Sequence, residues 1–191
     1  MEFIDFVLQE LPPAPARVLE IGCGDQGGVV PELVEAGYEA LGVDPRAPAG
    51  ELYLRRDFRE IGGAFDAVVA GRMLHHVDPI EPATGHIAAL APLVLVNEFA
   101  WDLIDESLAR WYDAQPGKTG PPTVEEWRWR HPGLHPHGVV LAALRAHFDE
   151  RALEWVPYFQ NWLGDVESPD RIGYWWAGSR TETTRSSAPS R

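Results

Sequence analysis

The fold is indicated first by residues 17–28, RVLEIGCGDQGG, in which an apolar run leads into a turn rich in glycine. The apolar run, Arg17–Ile21, predicts a buried strand, and a helix is predicted to follow the turn over residues 29–36. Glycine lets the backbone turn sharply and approach a ligand closely, while the first N–H groups of a helix have no partner within the helix. This stretch therefore predicts a strand–turn–helix unit that binds a ligand at the glycines.

Outward from this unit, short apolar runs alternate with helical segments through the first half of the chain. The run Leu93–Asn97 is almost entirely apolar, which is typical of a strand buried on both faces. Further strands are predicted at residues 40–43, 52–55 and 65–70, and further helices at residues 2–11 and 79–90. Strands separated by helices predict an α/β fold with a doubly wound, mostly parallel sheet.

The second half of the chain divides by composition. Residues 98–137 are rich in Trp and Tyr and contain a break of Pro and Gly at 115–122, so we expect an aromatic lid or substrate-binding insertion there. Residues 138–178 return to a helix-then-strand pattern and complete a single domain over residues 1–178. Residues 179–191 are rich in Ser, Thr and Arg and predict a disordered tail.

The composition limits the class of protein. The chain has 191 residues, of which 16 are Lys or Arg and 29 are Asp or Glu, so its formal net charge is −13. Such a charge repels phosphate backbones, and nucleic-acid binding is not expected. The first residues, MEFIDF, have no basic leader, and no apolar run reaches the roughly 20 residues of a membrane span. Cys23 is the only cysteine, which excludes an intrachain disulfide, and we expect a cytoplasmic protein without membrane partners.

Two acidic residues stand near the glycine turn. Glu20 interrupts the apolar strand, and a buried carboxylate needs a cation or hydrogen-bond donors, which the amino group of a methionine moiety would supply. Asp44 lies 20 residues after Gly24, at the end of the second strand, where an acid can accept hydrogen bonds from both ribose hydroxyls. A plain tight turn with a helix-capping Asp, and a site for a nicotinamide dinucleotide, are also compatible with this pattern.

Several segments, in this order, resemble class I S-adenosylmethionine-dependent methyltransferases. Residues 18–27 resemble the family's first motif, and Gly42–Asp44 and then Asp57–Phe58 follow at the expected spacing. Residues 65–77, FDAVVAGRMLHHV, are similar to the fourth-strand segment of the subgroup called type 11. The resemblance extends over residues 15–98 and implies a Rossmann-like sheet of seven strands whose last strand is antiparallel.

The resemblance also implies which residues bind the cofactor S-adenosylmethionine. The methionine end would contact the glycine turn and the segment after the fourth strand, the ribose would contact Asp44, and the adenine would contact Asp57 and Phe58. The implied cofactor-binding residues are Glu20, Gly22, Cys23, Gly24, Asp44, Asp57, Phe58, Gly71 and Arg72. The final two strands are implied at residues 151–157 and 172–178.

The residues that act on a methyl acceptor are predicted less directly, because methyl transfer depends mainly on the alignment of the reacting atoms. His76 and His135 are the candidate general bases, although a structural or cofactor-contacting role is favoured for His76. Glu98, in the segment Asn97–Phe99 that ends the fifth strand, could contact substrate or cap the following helix. The spacing of His131, His135 and His137 matches no common metal site, and no metal is expected.

The resulting prediction is an enzyme that transfers a methyl group from S-adenosylmethionine to a small-molecule acceptor. Two alternatives stay open. The first is an NAD(P)-dependent oxidoreductase, based on the glycine turn and Asp44, and the second is a non-catalytic nucleotide-binding module whose aromatic segment binds a partner. Glu20 favours the methyltransferase, because a nicotinamide dinucleotide offers no amino group to a carboxylate at that position.

Overall fold

The computed structural model describes residues 1–117, 123–159, 163 and 167–180. The α-helices are α1 (Phe3–Glu10), α2 (Val30–Glu35), α3 (Ile80–Leu90), α4 (Glu106–Asp113), α5 (Val124–Arg130) and α6 (His137–Arg145). Short 3₁₀ helices are η1 (Phe58–Glu60), η2 (Leu74–His76) and η3 (Trp101–Leu103). The strands are β1 (Arg17–Ile21), β2 (Glu39–Val43), β3 (Tyr53–Leu54), β4 (Ala67–Gly71), β5 (Leu93–Phe99), β6 (Phe148–Val156) and β7 (Gly173–Arg180). None of the helices in this described part is long and apolar enough to cross a membrane.

The strands form one sheet in the order β3-β2-β1-β4-β5-β7-β6. Strands β1 to β5 run parallel to one another, and β7 runs antiparallel to both β5 and β6. The predicted α/β class, the doubly wound sheet of seven strands and the antiparallel last strand are confirmed. The strand order reverses at β1, since β2 lies on one side of it and β4 on the other. Sheets of this kind bind ligands beyond the carboxyl ends of the strands at such a point.

Helices cover both faces of the sheet. Successive side chains of a strand point to opposite faces, so that Val68 and Ala70 of β4 pack in the cluster with α3 and α6, while Val69 packs in the cluster with α1 and α2. All three side chains are fully buried. A central strand of this kind has to be apolar throughout, and Glu20 in β1 is therefore an exception that needs local compensation.

The predicted aromatic insertion begins inside the sheet, because β5 continues through Phe99 instead of ending at Asn97. The segment then forms η3, α4 and α5, whose apolar side chains pack around Trp127 and Phe159 in a cluster separate from the two main ones. Most of its Pro- and Gly-rich break lies outside the described residues. A role for this segment as a lid stays a prediction.

The last two strands are longer than the sequence predicts. Strand β6 begins at Phe148, and β7 continues through Ser179 and Arg180, so those two residues belong to the sheet and not to a tail. Residues 181–191, the rest of the predicted tail, lie outside the described residues. Strand β6 forms one edge of the sheet and its first half is largely exposed. An edge strand can be charged, so it lacks the apolar pattern that reveals a central strand.

Candidate active site

A cavity of about 820 Å³ opens at the carboxyl ends of β1, β2, β4 and β5. Its wall is formed by the turn after β1, by residues after β2 and β4 and by Asn97 of β5, with Phe3 and Tyr158 at its border. Because β1 and β4 are neighbours in the sheet, the cavity lies at the point where the strand order reverses. Small-molecule and cofactor pockets occupy about 300–1,000 Å³, so this cavity is large enough for a nucleotide-sized ligand.

The turn after β1 requires glycine at three positions that have no room for a side chain, Gly22, Gly27 and Gly28. Gly22 has a φ of +75°, and a Cβ atom there would lie 2.6 Å from Cγ of Met73. Gly28 has a φ of +61°, and a Cβ atom there would overlap the carboxylate of Glu20. Residues with a side chain rarely adopt these left-handed angles. Glycine thus allows the turn to pack against Met73 on one side and to admit the Glu20 carboxylate on the other.

Glu20 lies against this turn with 3% of its surface exposed. Its Oε2 accepts a hydrogen bond of 2.7 Å from the N–H of Val29, and the N–H of Val30 also donates to the carboxylate. Burial nevertheless raises the pKa of Glu20 to about 8, because these donors replace only part of its lost hydration. No Lys, Arg or His within the described residues forms an ion pair with it. An ammonium group in the cavity would therefore stabilise the ionised carboxylate.

Asp44 stands directly after β2 and lines the same cavity. Its Oδ1 accepts a hydrogen bond of 2.7 Å from the N–H of Arg46, and Nε of Arg46 lies 3.7 Å from the same oxygen. These contacts fix the carboxylate, whose side chain is 12% exposed. Oδ2 accepts no hydrogen bond from the part of the chain that the structure describes, so it is free to accept one from a ligand hydroxyl.

The segment after β4 passes the cavity in a left-handed conformation. Arg72 has a φ of +50°, the only positive value at a non-glycine position in the described ranges. Such a conformation costs about 1–2 kcal/mol for a residue with a Cβ. The N–H of Arg72 donates a 2.6 Å hydrogen bond to the carbonyl of Asn97, which ties the segment to β5. Gly71, Arg72 and Met73 consequently all line the cavity.

A buried pair of His75 and Glu98 forms the adjoining part of the wall. Glu98 is fully buried and accepts hydrogen bonds from the N–H groups of Leu74 (2.5 Å) and Phe99 (3.1 Å). Its Oε2 lies 2.5 Å from Nδ1 of His75, and a carboxylate that accepts there assigns the ring proton to Nδ1. His75 lines the cavity, and its Nε2 has no hydrogen-bond partner within the described ranges. Glu98 therefore accepts from the first N–H of η2, and not from the helix that follows it in the chain, and it does not itself line the cavity.

The two histidines predicted as general bases differ in position. His76 lines the cavity, and its ring centroid lies 4.1 Å from that of His75. Burial, followed by the neighbouring His75, lowers the pKa of His76. His135 does not line the cavity, because its Nε2–H donates to the carbonyl of Val77 (3.0 Å) and its backbone N–H donates to the carbonyl of His75 (2.9 Å). His135 thus holds the loop before α6 against η2.

Of the nine cofactor-binding residues implied by the resemblance, the cavity is lined by Glu20, Gly22, Cys23, Gly24, Asp44, Gly71 and Arg72. The other two lie elsewhere. Asp57 caps η1 by accepting a 2.9 Å hydrogen bond from the N–H of Arg59, and Phe58 is buried in the core. Burial and the carboxylates of Glu20 and Asp44 raise the pKa of the Cys23 thiol to about 12, so that it stays protonated at neutral pH.

The remaining histidines near the aromatic segment have separate partners. Nδ1–H of His131 donates to the carbonyl of Trp127 over 2.8 Å, and Nδ1–H of His137 donates to Asp102 over 2.8 Å. Within the residues that the structure describes, no three His, Cys, Asp or Glu side chains form a group that could hold a metal ion.

Several cavity residues were not predicted from the sequence, among them Phe3, Met73 and Tyr158. Phe3 belongs to α1 and Tyr158 follows β6, and both reach the cavity only through the assembled sheet. Asn97 did carry a signal, because it is the first polar residue of the fifth strand. His75 and His76 both follow the fourth strand in the sequence, and only the contact of His75 with Glu98 distinguishes the two.

A sheet of seven strands with an antiparallel β7, and a cavity between a glycine turn and an acid after β2, define the fold of class I S-adenosylmethionine-dependent methyltransferases. A family model described as "Methyltransferase domain" matches residues 1–158 of the chain. The chain therefore belongs to this family of methyltransferases, and the predicted membership is confirmed. A search of curated proteins finds no significant match.

Solved structures show the same fold at low sequence identity. An S-adenosylmethionine-dependent methyltransferase from Mesorhizobium loti is 20% identical over 92% of this chain and 96% of its own, with a TM-score of 0.59. Magnesium protoporphyrin IX methyltransferase from Synechocystis, with bound S-adenosylhomocysteine, is 16% identical over 94% and 80%, with a TM-score of 0.61. The N-methyltransferase NodS from Bradyrhizobium japonicum, in complex with S-adenosylhomocysteine, is 14% identical over 94% and 86%, with a TM-score of 0.60.

Proposed function

We propose that this protein transfers a methyl group from S-adenosylmethionine to a small-molecule acceptor. The carboxylate of Glu20 carries the proposal, because it is buried at the glycine turn and has no cationic partner among the described residues. Membership in the methyltransferase family supports the reaction. The magnesium protoporphyrin IX methyltransferase and NodS, which share the fold, are described with bound S-adenosylhomocysteine, and this supports the cofactor.

The residues around the cavity fit this cofactor. Glu20 would hold its ammonium group, and Oδ2 of Asp44 would accept hydrogen bonds from its ribose hydroxyls. Gly71 and Arg72 line the same cavity and would lie near its carboxylate or sulfonium. Adenine binding by Asp57 and Phe58 stays a prediction from the resemblance, since neither residue lines the cavity. When bound, the cofactor supplies an electrophilic methyl group on a sulfonium sulfur.

The residues of the chain would align the reacting atoms and exclude water from them. Methyl transfer is an in-line displacement, so holding the acceptor atom against the methyl group is the main source of rate enhancement. The cavity of about 820 Å³ has room for an acceptor of small-molecule size beside the cofactor. The net charge of −13 disfavours a nucleic-acid acceptor.

Two measurements test the proposal. In titration calorimetry we expect S-adenosylmethionine and S-adenosylhomocysteine to bind, whereas the fluorescence of NADH and NADPH should not change on mixing. A metabolite extract incubated with methyl-labelled S-adenosylmethionine should yield a labelled small molecule. Absence of cofactor binding would remove the proposal, and binding without any transfer of label would instead indicate a non-catalytic module. We also propose that the protein is cytoplasmic. This proposal is based only on its single cysteine, and cell fractionation tests it.

A further inference from the structure

The pair of His75 and Glu98 is built as an oriented base. A buried carboxylate is costly unless its oxygens are fully hydrogen-bonded, and those of Glu98 are occupied by two backbone N–H groups and Nδ1 of His75. The contacts with Leu74 and His75 tie η2, on which His75 lies, to β5. An imidazole whose single proton is on Nδ1 has Nε2 as its basic nitrogen.

The other candidate histidines lack this arrangement. His76 lines the cavity, but no carboxylate within the described ranges accepts a hydrogen bond from its ring. His135 uses Nε2 to donate to Val77 and lies outside the cavity wall. A carboxylate that fixes the tautomer of a histidine is the arrangement found in catalytic triads, where it makes the second ring nitrogen the proton acceptor.

From this geometry, and resting on the methyltransferase function proposed above, we propose that His75 is the general base, that Glu98 positions it, and that the methyl acceptor is a hydroxyl compound. A base is needed only where the accepting atom starts protonated. A phenolic hydroxyl has a pKa of about 10, whereas a thiol, with a pKa of about 8.5, ionises far more readily without help. An oriented imidazole is therefore most useful to a hydroxyl acceptor.

The charges of the cavity wall point to the same class of acceptor. The acidic residues that line the cavity, Glu20, Asp25 and Asp44, all lie on the side of β1 and β2. Near His75 the wall includes Met73, His76 and Tyr158, which reaches His75 through Phe99, and the oxygens of Glu98 already accept hydrogen bonds. A cationic amine would find no available carboxylate among these wall residues, while the ring of Tyr158, stacked on Phe99 at 3.9 Å, offers an apolar surface to a neutral acceptor.

The proposed step balances without a further reactant. The acceptor hydroxyl gives its proton to Nε2 of His75, while an oxygen electron pair forms the O–CH₃ bond. The C–S bond breaks with its electron pair left on sulfur, so that the products are the methyl ether and S-adenosylhomocysteine. The imidazolium of His75 is stabilised by the carboxylate of Glu98 and then loses the proton to solvent.

A first experiment measures the tautomer of His75 directly. Long-range ¹H–¹⁵N correlation spectra of the full chain with bound S-adenosylhomocysteine, assigned with a His75→Gln variant, should show a protonated Nδ1 and a bare Nε2. Glu98→Gln can keep an oxygen for the N–H of Leu74 while its amide nitrogen replaces Oε2 opposite Nδ1, so the ring proton should move to Nε2. A protonated Nε2 in the wild-type protein would overturn the proposal whether or not an acceptor is known.

A second experiment measures transfer of labelled methyl groups to a dilution series of a metabolite extract. His75→Ala and Glu98→Gln should lower the rate at saturating extract about 10²- to 10⁴-fold, the range typical of a lost general base. The extract concentration giving half the maximal rate should change little. Added imidazole should partly restore His75→Ala. His147→Gln is the control, because His147 does not line the cavity.

The outcomes separate this proposal from the function on which it rests. If the wild-type protein transfers no label, the proposed function fails, and the tautomer spectra still decide whether His75 is an oriented base. If the wild type transfers label and His75→Ala does so at the same rate, the base assignment fails and the function stands. A product that carries the methyl group on nitrogen, carbon or sulfur would overturn the hydroxyl acceptor.

Discussion

Replacing Glu20 with Gln removes the ionisable group at the glycine turn while keeping the size of the side chain. The amide oxygen of Gln can still accept the hydrogen bond from the N–H of Val29, so the packing of α2 against β1 should survive. We expect the variant to be more stable than the wild type at high pH and to bind S-adenosylhomocysteine more weakly. The first effect comes from the cost of an ionised carboxylate that lacks a cationic partner among the described residues, and the second comes from the loss of that carboxylate as a partner for the ammonium group.

The size of the effect on stability follows from the pKa of Glu20, which burial raises from 4.5 to about 8. In the unfolded chain the carboxyl ionises near its ordinary pKa, whereas in the folded protein it stays protonated until the pH approaches 8. A raised pKa stabilises the fold at low pH, and this contribution is lost as the pH rises. We integrate the difference in bound protons between the unfolded and the folded state from pH 5 to pH 9. The wild type then loses about 4 kcal/mol of its free energy of unfolding, and the Gln variant does not.

Urea unfolding of both proteins at pH 5, 7 and 9 measures this difference, and the other titrating groups cancel between the two. The stability of Glu20→Gln relative to the wild type should grow by about 4 kcal/mol across the range. Calorimetry of S-adenosylhomocysteine binding in two buffers of different ionisation enthalpy supplies the second readout. At pH 7 the wild type should release close to one proton, as Glu20 ionises beside the ammonium group, and the variant should release none.

A stability difference that is the same at all three pH values would refute the reasoning, because Glu20 would then already be ionised in the free protein. Proton release by Glu20→Gln equal to that of the wild type would show that the ammonium group lies elsewhere. Glu35→Gln is the reference for the calorimetry, since it makes the same replacement at an exposed acid of α2 that does not line the cavity.

Three further substitutions give separate tests. Asp44→Ala should weaken S-adenosylhomocysteine binding by about 1–3 kcal/mol through lost hydrogen bonds to the ribose, and an unchanged dissociation constant in calorimetry would place the ribose elsewhere. Gly28→Ala should destabilise the fold more than Gly24→Ala in urea unfolding. Both positions have a positive φ, which costs about 1–2 kcal/mol for alanine, but only a Cβ at Gly28 meets the Glu20 carboxylate. Equal losses of stability would mean that the carboxylate moves aside. Trp176→Phe should cost about 2–4 kcal/mol, because it removes the 2.7 Å hydrogen bond to Glu150 and leaves a cavity at a fully buried position. Tyr174→Phe should be neutral or stabilising, because its buried hydroxyl has no partner within the described ranges, and the reverse order of the two stabilities would contradict this.

The sequence predicted the elements whose signals are local. Arg17–Ile21 forms a strand with the predicted bounds, because it is an apolar run followed at once by glycine. Strand β3 has only two residues, and β6 is an exposed edge, so burial imposes little pattern on either. The end of β5 buries Glu98, and the side-chain partner of Glu98, His75, lies 23 positions away in the sequence. No local pattern could reveal that contact.

The candidate site likewise has one side with local sequence signals and one side without them. The cofactor side is formed by the turn after β1 and by Asp44 after β2, and each feature can be recognised within a few residues of its own strand. The opposite side depends on the pairing of β4 with β5, in which Gly71 lies opposite Asn97. This register brings the segment that contains His75 next to Glu98, and it selects His75 over His76 as the oriented histidine. Two adjacent histidines look alike in the sequence, and only the position of a carboxylate on the next strand distinguishes them. A role in methyl transfer can therefore be proposed for one of these histidines only when the pairing of β4 with β5 is known.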